Sequence, residues 1–172
     1  YASSVAGGYG NTVTADYSSI SGGKWNTGSG QYSSIGGGQF NHASGQDSVV
    51  AGGANNIANQ TASSVVGGIS NSAKALAASV GGGSQNTASA DYASIGGGQW
   101  NTAVGKWSII SGGYGNWAKE ISATVGGGQN NTAWSSGTVA GGTMNSAGGI
   151  FGTISGGNAN LATGSYSSVL GG

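Results

Sequence analysis

Cysteine and proline are both missing from the 172 residues, and each absence removes a class of structure. Without cysteine no disulfide can staple the fold, no thiolate can hold a metal, and no thiol can act as a nucleophile. Without proline, and with glycine not recurring at every third residue, neither a collagen helix nor a polyproline bundle can form. Charge is nearly as scarce: four lysines, no arginine and four acidic residues leave a formal net charge of zero. That balance lacks the basic footprint with which proteins grip nucleic acid or anionic membranes. No apolar run approaches the ~18 residues that a membrane span requires, so no membrane insertion is expected of this segment.

Catalytic chemistry is also thin. The only histidine, His42, has Asn41, Ala43 and Ser44 as neighbours, and one imidazole cannot make a repeated metal site. Asp16 and Asp91 occupy equivalent places five repeats apart, too far for an acid–base pair. The glycine-rich turns almost never carry the Asp that calcium-binding β-rolls repeat. The sequence therefore predicts no enzyme, no cofactor and no metal.

What the chain has instead is repetition. A Val or Ile, one variable residue and Gly-Gly recur twelve times, at fifteen-residue spacing apart from one fourteen-residue step between Val125 and Val139. The aliphatic column is Val5, Ile20, Ile35, Val50, Val65, Val80, Ile95, Ile110, Val125, Val139, Ile154 and Val169. Three residues after each completed glycine pair comes an asparagine: Asn11, Asn26, Asn41, Asn56, Asn71, Asn86, Asn101, Asn116, Asn131, Asn145 and Asn160. Self-similarity at a fixed short period is the mark of a solenoid, and it overrides the disordered reading that low complexity invites.

Numbering each repeat from the third residue before its aliphatic, positions two, four and six are small, aliphatic and Gly. Positions ten, twelve and fourteen are Asn, usually Ala, and often Gly or Ala. Two short segments of period two, separated by glycines, predict two strands and two tight turns per repeat. The expected fold is an all-β parallel β-solenoid, or β-roll, of about twelve fifteen-residue rungs. Residues 1–172 then form one continuous array, and the last repeat breaks off after its glycine pair, as a window on a longer chain would. At ~4.8 Å per rung, twelve turns would span roughly 55–60 Å. The glycine pair is expected at a corner, and the asparagines form an amide ladder that satisfies buried backbone groups.

One large apolar side chain per rung is a thin core against the conformational entropy of ordering each rung, so the chain is expected to need partners of its own kind. The charges suggest where these dock. Asp16, Asp47, Lys74, Asp91, Lys106, Lys119 and Glu120 all fall between position thirteen and the following position one, and only Lys24 lies elsewhere. Positions three and five never carry a charge, and position three is Ser or Thr in ten of twelve repeats. That smooth face is the expected subunit interface. Aromatic residues pair on adjacent rungs at position one, as Tyr17 with Tyr32, Tyr92 with Trp107 and Phe151 with Tyr166; Trp25 and Phe40 pair at position nine. They read either as a ladder that fixes register or as a platform on which sugar rings stack.

The stretch Ser34-Ile35-Gly36-Gly37-Gly38-Gln39-Phe40-Asn41-His42-Ala43-Ser44-Gly45, together with Ser168-Val169-Leu170-Gly171-Gly172, resembles the YadA-like head repeats of trimeric autotransporter adhesins. The repeats are also similar to those in shafts of trimeric phage tail fibres. The resemblance runs over the whole chain and implies a left-handed β-roll assembled as a homotrimer, outside the cell, on a cell surface or on a virion. It implies a role in attachment, with a surface glycan or receptor as partner and end-to-end filaments as a possible assembly. An ice-binding solenoid that presents a Ser/Thr array is the alternative reading of the same hydroxyls.

Overall fold

The computed structural model describes residues 2–172 and is an all-β parallel solenoid of about eleven turns. Each turn adds one two-residue strand to each of two sheets, with no helix among the described residues. Sheet one has twelve strands, from Ser4–Val5 to Ser168–Val169, and sheet two has eleven, from Thr12–Val13 to Leu161–Ala162. Pairing is parallel and offset by one repeat, so Ile20 lies between Val5 and Ile35, and Ala73 between Ala58 and Ala88.

Equal repeat length is what makes this ladder possible. The Ser19 N–H donates to the Ser33 carbonyl (2.9 Å), and the Ser21 N–H to the Ile35 carbonyl (3.0 Å). In sheet two the Thr27 and Ser29 N–H groups donate to Asn41 and Ala43 (2.8 and 2.9 Å). The same bonds recur on each rung because the same position returns after one turn. The fourteen-residue repeat is absorbed at a corner, where the Gly137 N–H bonds the Trp134 carbonyl at 2.7 Å. Thr124 still faces Thr138 and Val125 still faces Val139, so the ladder does not slip.

Period two sets what is buried. The ten aliphatic residues from Ile20 to Ile154 are at most 1% exposed, while Val5 and Val169, on the first and last rungs, are more open. Opposite them stands the position-twelve column, chiefly Ala43, Ala58, Ala73, Ala88, Ala103 and Ala118, all fully buried. A branched aliphatic against a single methyl lets the two sheets approach closely; the larger Val13 on the first rung stands next to Gly28 in this column. Position two, Ser or Ala in most rungs, closes the second end of the core.

The asparagines close the first end. Asn56 donates from Nδ2 to the carbonyls of Gly52 in its own rung and Gly68 in the next (both 2.9 Å), and its Oδ1 accepts from the Asn71 N–H (2.9 Å). Asn26 through Asn145 are buried and repeat this pattern, while nearer the ends Asn11 makes the same bonds and Asn160 makes the two Nδ2 donations. Each amide thus satisfies the first-glycine carbonyl of its own rung and, up to Asn145, the N–H of the next asparagine, and it adds a second donor to the next rung's second-glycine carbonyl, which already accepts a backbone N–H.

The two glycines of each pair differ. The second is left-handed (φ +88° at Gly23), and a Cβ there would lie 2.1 Å from the Gly38 carbonyl oxygen. The first, such as Gly22, has nothing within 4 Å of an added Cβ. Inward alternation therefore stops at position four, and position six lies on the corner rather than inside with positions two and four. The other left-handed residues of each rung are mostly not glycine. Positions nine and one supply twenty non-glycine residues with φ between 49° and 62°. Their N–H groups bond the neighbouring rung, as Trp25 to Tyr9 (2.9 Å) and Tyr32 to Asp16 (3.1 Å).

Candidate binding surfaces

Four surfaces run along the solenoid: the outer faces of the two sheets and the two corners. Position three builds the outer face of sheet one. Its hydroxyls are half-buried and in places bonded to one another, Ser79 to Ser94 at 3.1 Å and Ser19 to Ser34 at 3.5 Å. Val49 and Ile109 interrupt the column. Position eleven builds the outer face of sheet two from Thr12, Thr27, His42, Ile57 and their successors, with Trp117 and Leu161 standing out from it. His42 is half-buried there. Among the described residues no group of three or more His, Asp or Glu could hold a metal.

The second corner carries the position-one aromatics and most of the charge. Tyr17 and Tyr32 stack at 5.1 Å with 8° between planes, Tyr92 and Trp107 at 6.3 Å and 19°, and Phe151 and Tyr166 at 5.2 Å and 20°. Each ring of a pair covers one face of the other. Lys106 sets its ammonium 4.5 Å from the Trp107 ring centre, and Lys119 lies 4.2 Å from that of Trp134 and 5.4 Å from that of Trp117. These cations are attracted to the negative ring faces. The Glu120 carboxylate accepts a hydrogen bond from the Ser135 hydroxyl one rung away.

The first corner holds a feature that adjacent-rung pairing at a single position does not reveal. Trp25 meets Tyr9 edge to face (5.1 Å, 88°), a contact between positions nine and eight. Further along, Trp100 at position nine and Tyr114 at position eight lie near-parallel with centres 6.4 Å apart. Gly115 takes position nine on the Tyr114 rung, so no side chain there fills the column. Trp117, from position eleven, rises from the adjoining face of sheet two. Between them opens a groove of about 660 Å³, lined also by Ser70, Gln85, Thr87, Thr102 and Asn130. The signal was present in the sequence as three aromatics within eighteen residues. It was hidden because they occupy three different repeat positions.

These features define the chain as a parallel β-solenoid repeat protein with a hydroxyl-bearing face, an aromatic and charged corner, and an uncharged aromatic groove. Neither a protein-family model nor a curated protein sequence matches it.

Proposed function

We propose that the chain is a structural segment of an extracellular homotrimeric fibre used for attachment to a surface or host. The observation that carries the reading is the outer face of sheet one. Over twelve rungs it presents no charge at position three or five, and most of its side chains are short hydroxyls, Ser19 with Ser34 and Ser79 with Ser94 bonded along the column. A face of this kind lets a second copy approach to backbone distance without burying an unpaired ion. The charged corner stays in water in such an arrangement. The thin core supports the same reading, because each inner rung buries one Val or Ile as its only large apolar side chain, beside an Asn and small residues.

Sedimentation equilibrium of the protein tests it. The expected mass is that of three chains, falling to one chain when Ser79→Lys and Ser94→Lys place two cations in the middle of the face. A wild-type monomer at micromolar concentration overturns the trimer. The regular hydroxyl column also favours a second reading, an ice-binding surface. Thermal hysteresis by a monomer, abolished by Ser64→Ala, Ser79→Ala and Ser94→Ala together, would select that reading instead.

A further inference from the structure

We infer that the groove between Trp100, Tyr114 and Trp117 binds a neutral polysaccharide, an extended chain of uncharged pyranose rings lying along the solenoid axis. This deepens the attachment reading and rests on it, but it does not depend on the trimer, because the groove lies at the first corner and on sheet two, away from the face proposed for self-association.

Three observations converge. The first is composition. Three aromatic side chains, each 43–52% exposed, share the groove with the Thr87 and Thr102 hydroxyls and the Gln85 and Asn130 amides, and no lining residue is charged. A pyranose ring has an apolar C–H face and a rim of hydroxyls that donate and accept, so it matches aromatic faces flanked by neutral hydrogen-bonding groups. Nucleic acid, which also stacks on aromatic rings, needs a line of cations along its backbone, and the groove has only Lys119 beside it, against the Trp117 ring.

The second is the residue placed at the corner. Position nine is left-handed in every rung, with φ 62° at Trp100, and other rungs fill it with Gly10, Ser70, Gly115 or Ala159 as readily as with a large side chain. The fold therefore does not require a tryptophan there, and a half-exposed one that serves the core little points to a contact outside the chain.

The third is shape. The groove follows position nine over five consecutive rungs, from Ser70 to Asn130, a run of roughly 19 Å at ~4.8 Å per rung. The rung spacing is close to the rise of one hexose in an extended glycan, so successive rings can meet successive rungs.

Calorimetric titration with linear β-1,4-glucan, α-1,4-glucan, β-1,4-mannan and chitin oligosaccharides, alongside hyaluronan and oligo-dT, tests the inference. At least one neutral glycan should bind. Trp100→Gly, which adopts the left-handed corner as Gly115 does, should weaken it about ten- to a hundredfold, the range for losing one stacked ring, while the far-UV circular dichroism and the thermal midpoint are retained. Trp117→Ala should act likewise, and Tyr17→Ala with Tyr32→Ala should leave affinity unchanged. Binding of hyaluronan or oligo-dT alone, no binding of any neutral glycan, or equal loss in the Tyr17 and Tyr32 variant overturns it. Sedimentation of the same samples reports the trimer separately, so failure of one idea is distinguishable from failure of the other.

Discussion

Adding one methyl group at each of two glycines five residues apart should have opposite effects, and the pair measures how the rung is built. Gly28 takes position twelve, where most rungs have alanine, in the strand Thr27–Gly28. Its φ is not left-handed, and an added Cβ would sit 3.4 Å from the Ser33 hydroxyl and 3.8 Å from Ile20 and Val13 side-chain carbons, which is ordinary contact. Gly28→Ala therefore extends the buried alanine column without moving the backbone. Reduced freedom of the unfolded chain contributes about 0.4–1 kcal/mol, and one buried carbon contributes about 0.8 kcal/mol, for a gain of about 1–2 kcal/mol. Gly23→Ala meets a left-handed backbone, worth about 1–2 kcal/mol of strain, and a carbonyl 2.1 Å away that belongs to the next rung. Relieving that overlap adds about 1–3 kcal/mol, so the variant should lose roughly 2–5 kcal/mol.

Solenoids open locally from any rung, so a single melting temperature blurs such effects. Native-state hydrogen exchange at the Ser29 amide, which bonds the Ala43 carbonyl, reads the second rung directly. Gly28→Ala should slow it about five- to thirtyfold, and Gly23→Ala should accelerate it. If Gly28→Ala speeds exchange, or Gly23→Ala leaves it unchanged, the assignment of inner and corner positions is wrong.

Two further outcomes follow from the polar ladders. Asn56→Ala orphans the Gly52 carbonyl and the Asn71 N–H, while the Gly68 carbonyl keeps the Ala54 N–H, at a cost of about 2 kcal/mol or more, and accelerated exchange at the Asn71 amide will show whether the loss is local to that amide. At position two, Ser63 donates to the Gln60 carbonyl at 2.6 Å, whereas the buried Ser48 hydroxyl has no partner. Ser63→Ala should cost about 0.5–1.5 kcal/mol in urea unfolding, and Ser48→Ala should be neutral or stabilising, as alanine at Ala78, Ala93 and Ala123 suggests. Equal losses for the two serines would contradict the pairing.

Much of this was legible in the chain because a repeat reports its own geometry. A fifteen-residue period brings Ile20 beside Ile35 whatever the surroundings, and alternation by two places Ile20, Asn26 and Gly28 on one side of the rung and Ser19 and Thr27 on the other. The glycine pair was legible as a corner but not as two unlike residues. Only the backbone torsions reveal that Gly23 is required and that Gly22 faces open space. Trp25 and Phe40 looked like a pair because they share a repeat position, yet Trp25 turns toward Tyr9. A left-handed corner swings its side chain in a direction that sequence spacing does not encode.

The sequence by itself determined the solenoid, its rung length and its buried columns, because period and alternation are geometric constraints that apply wherever backbone bonds must be satisfied. Only the tertiary structure decided which side chains of unlike repeat positions converge. Trp100 sits at position nine of one rung and Tyr114 and Trp117 at positions eight and eleven of the next, and they share a groove because a left-handed corner and an empty position at Gly115 bring a corner column and a sheet face together.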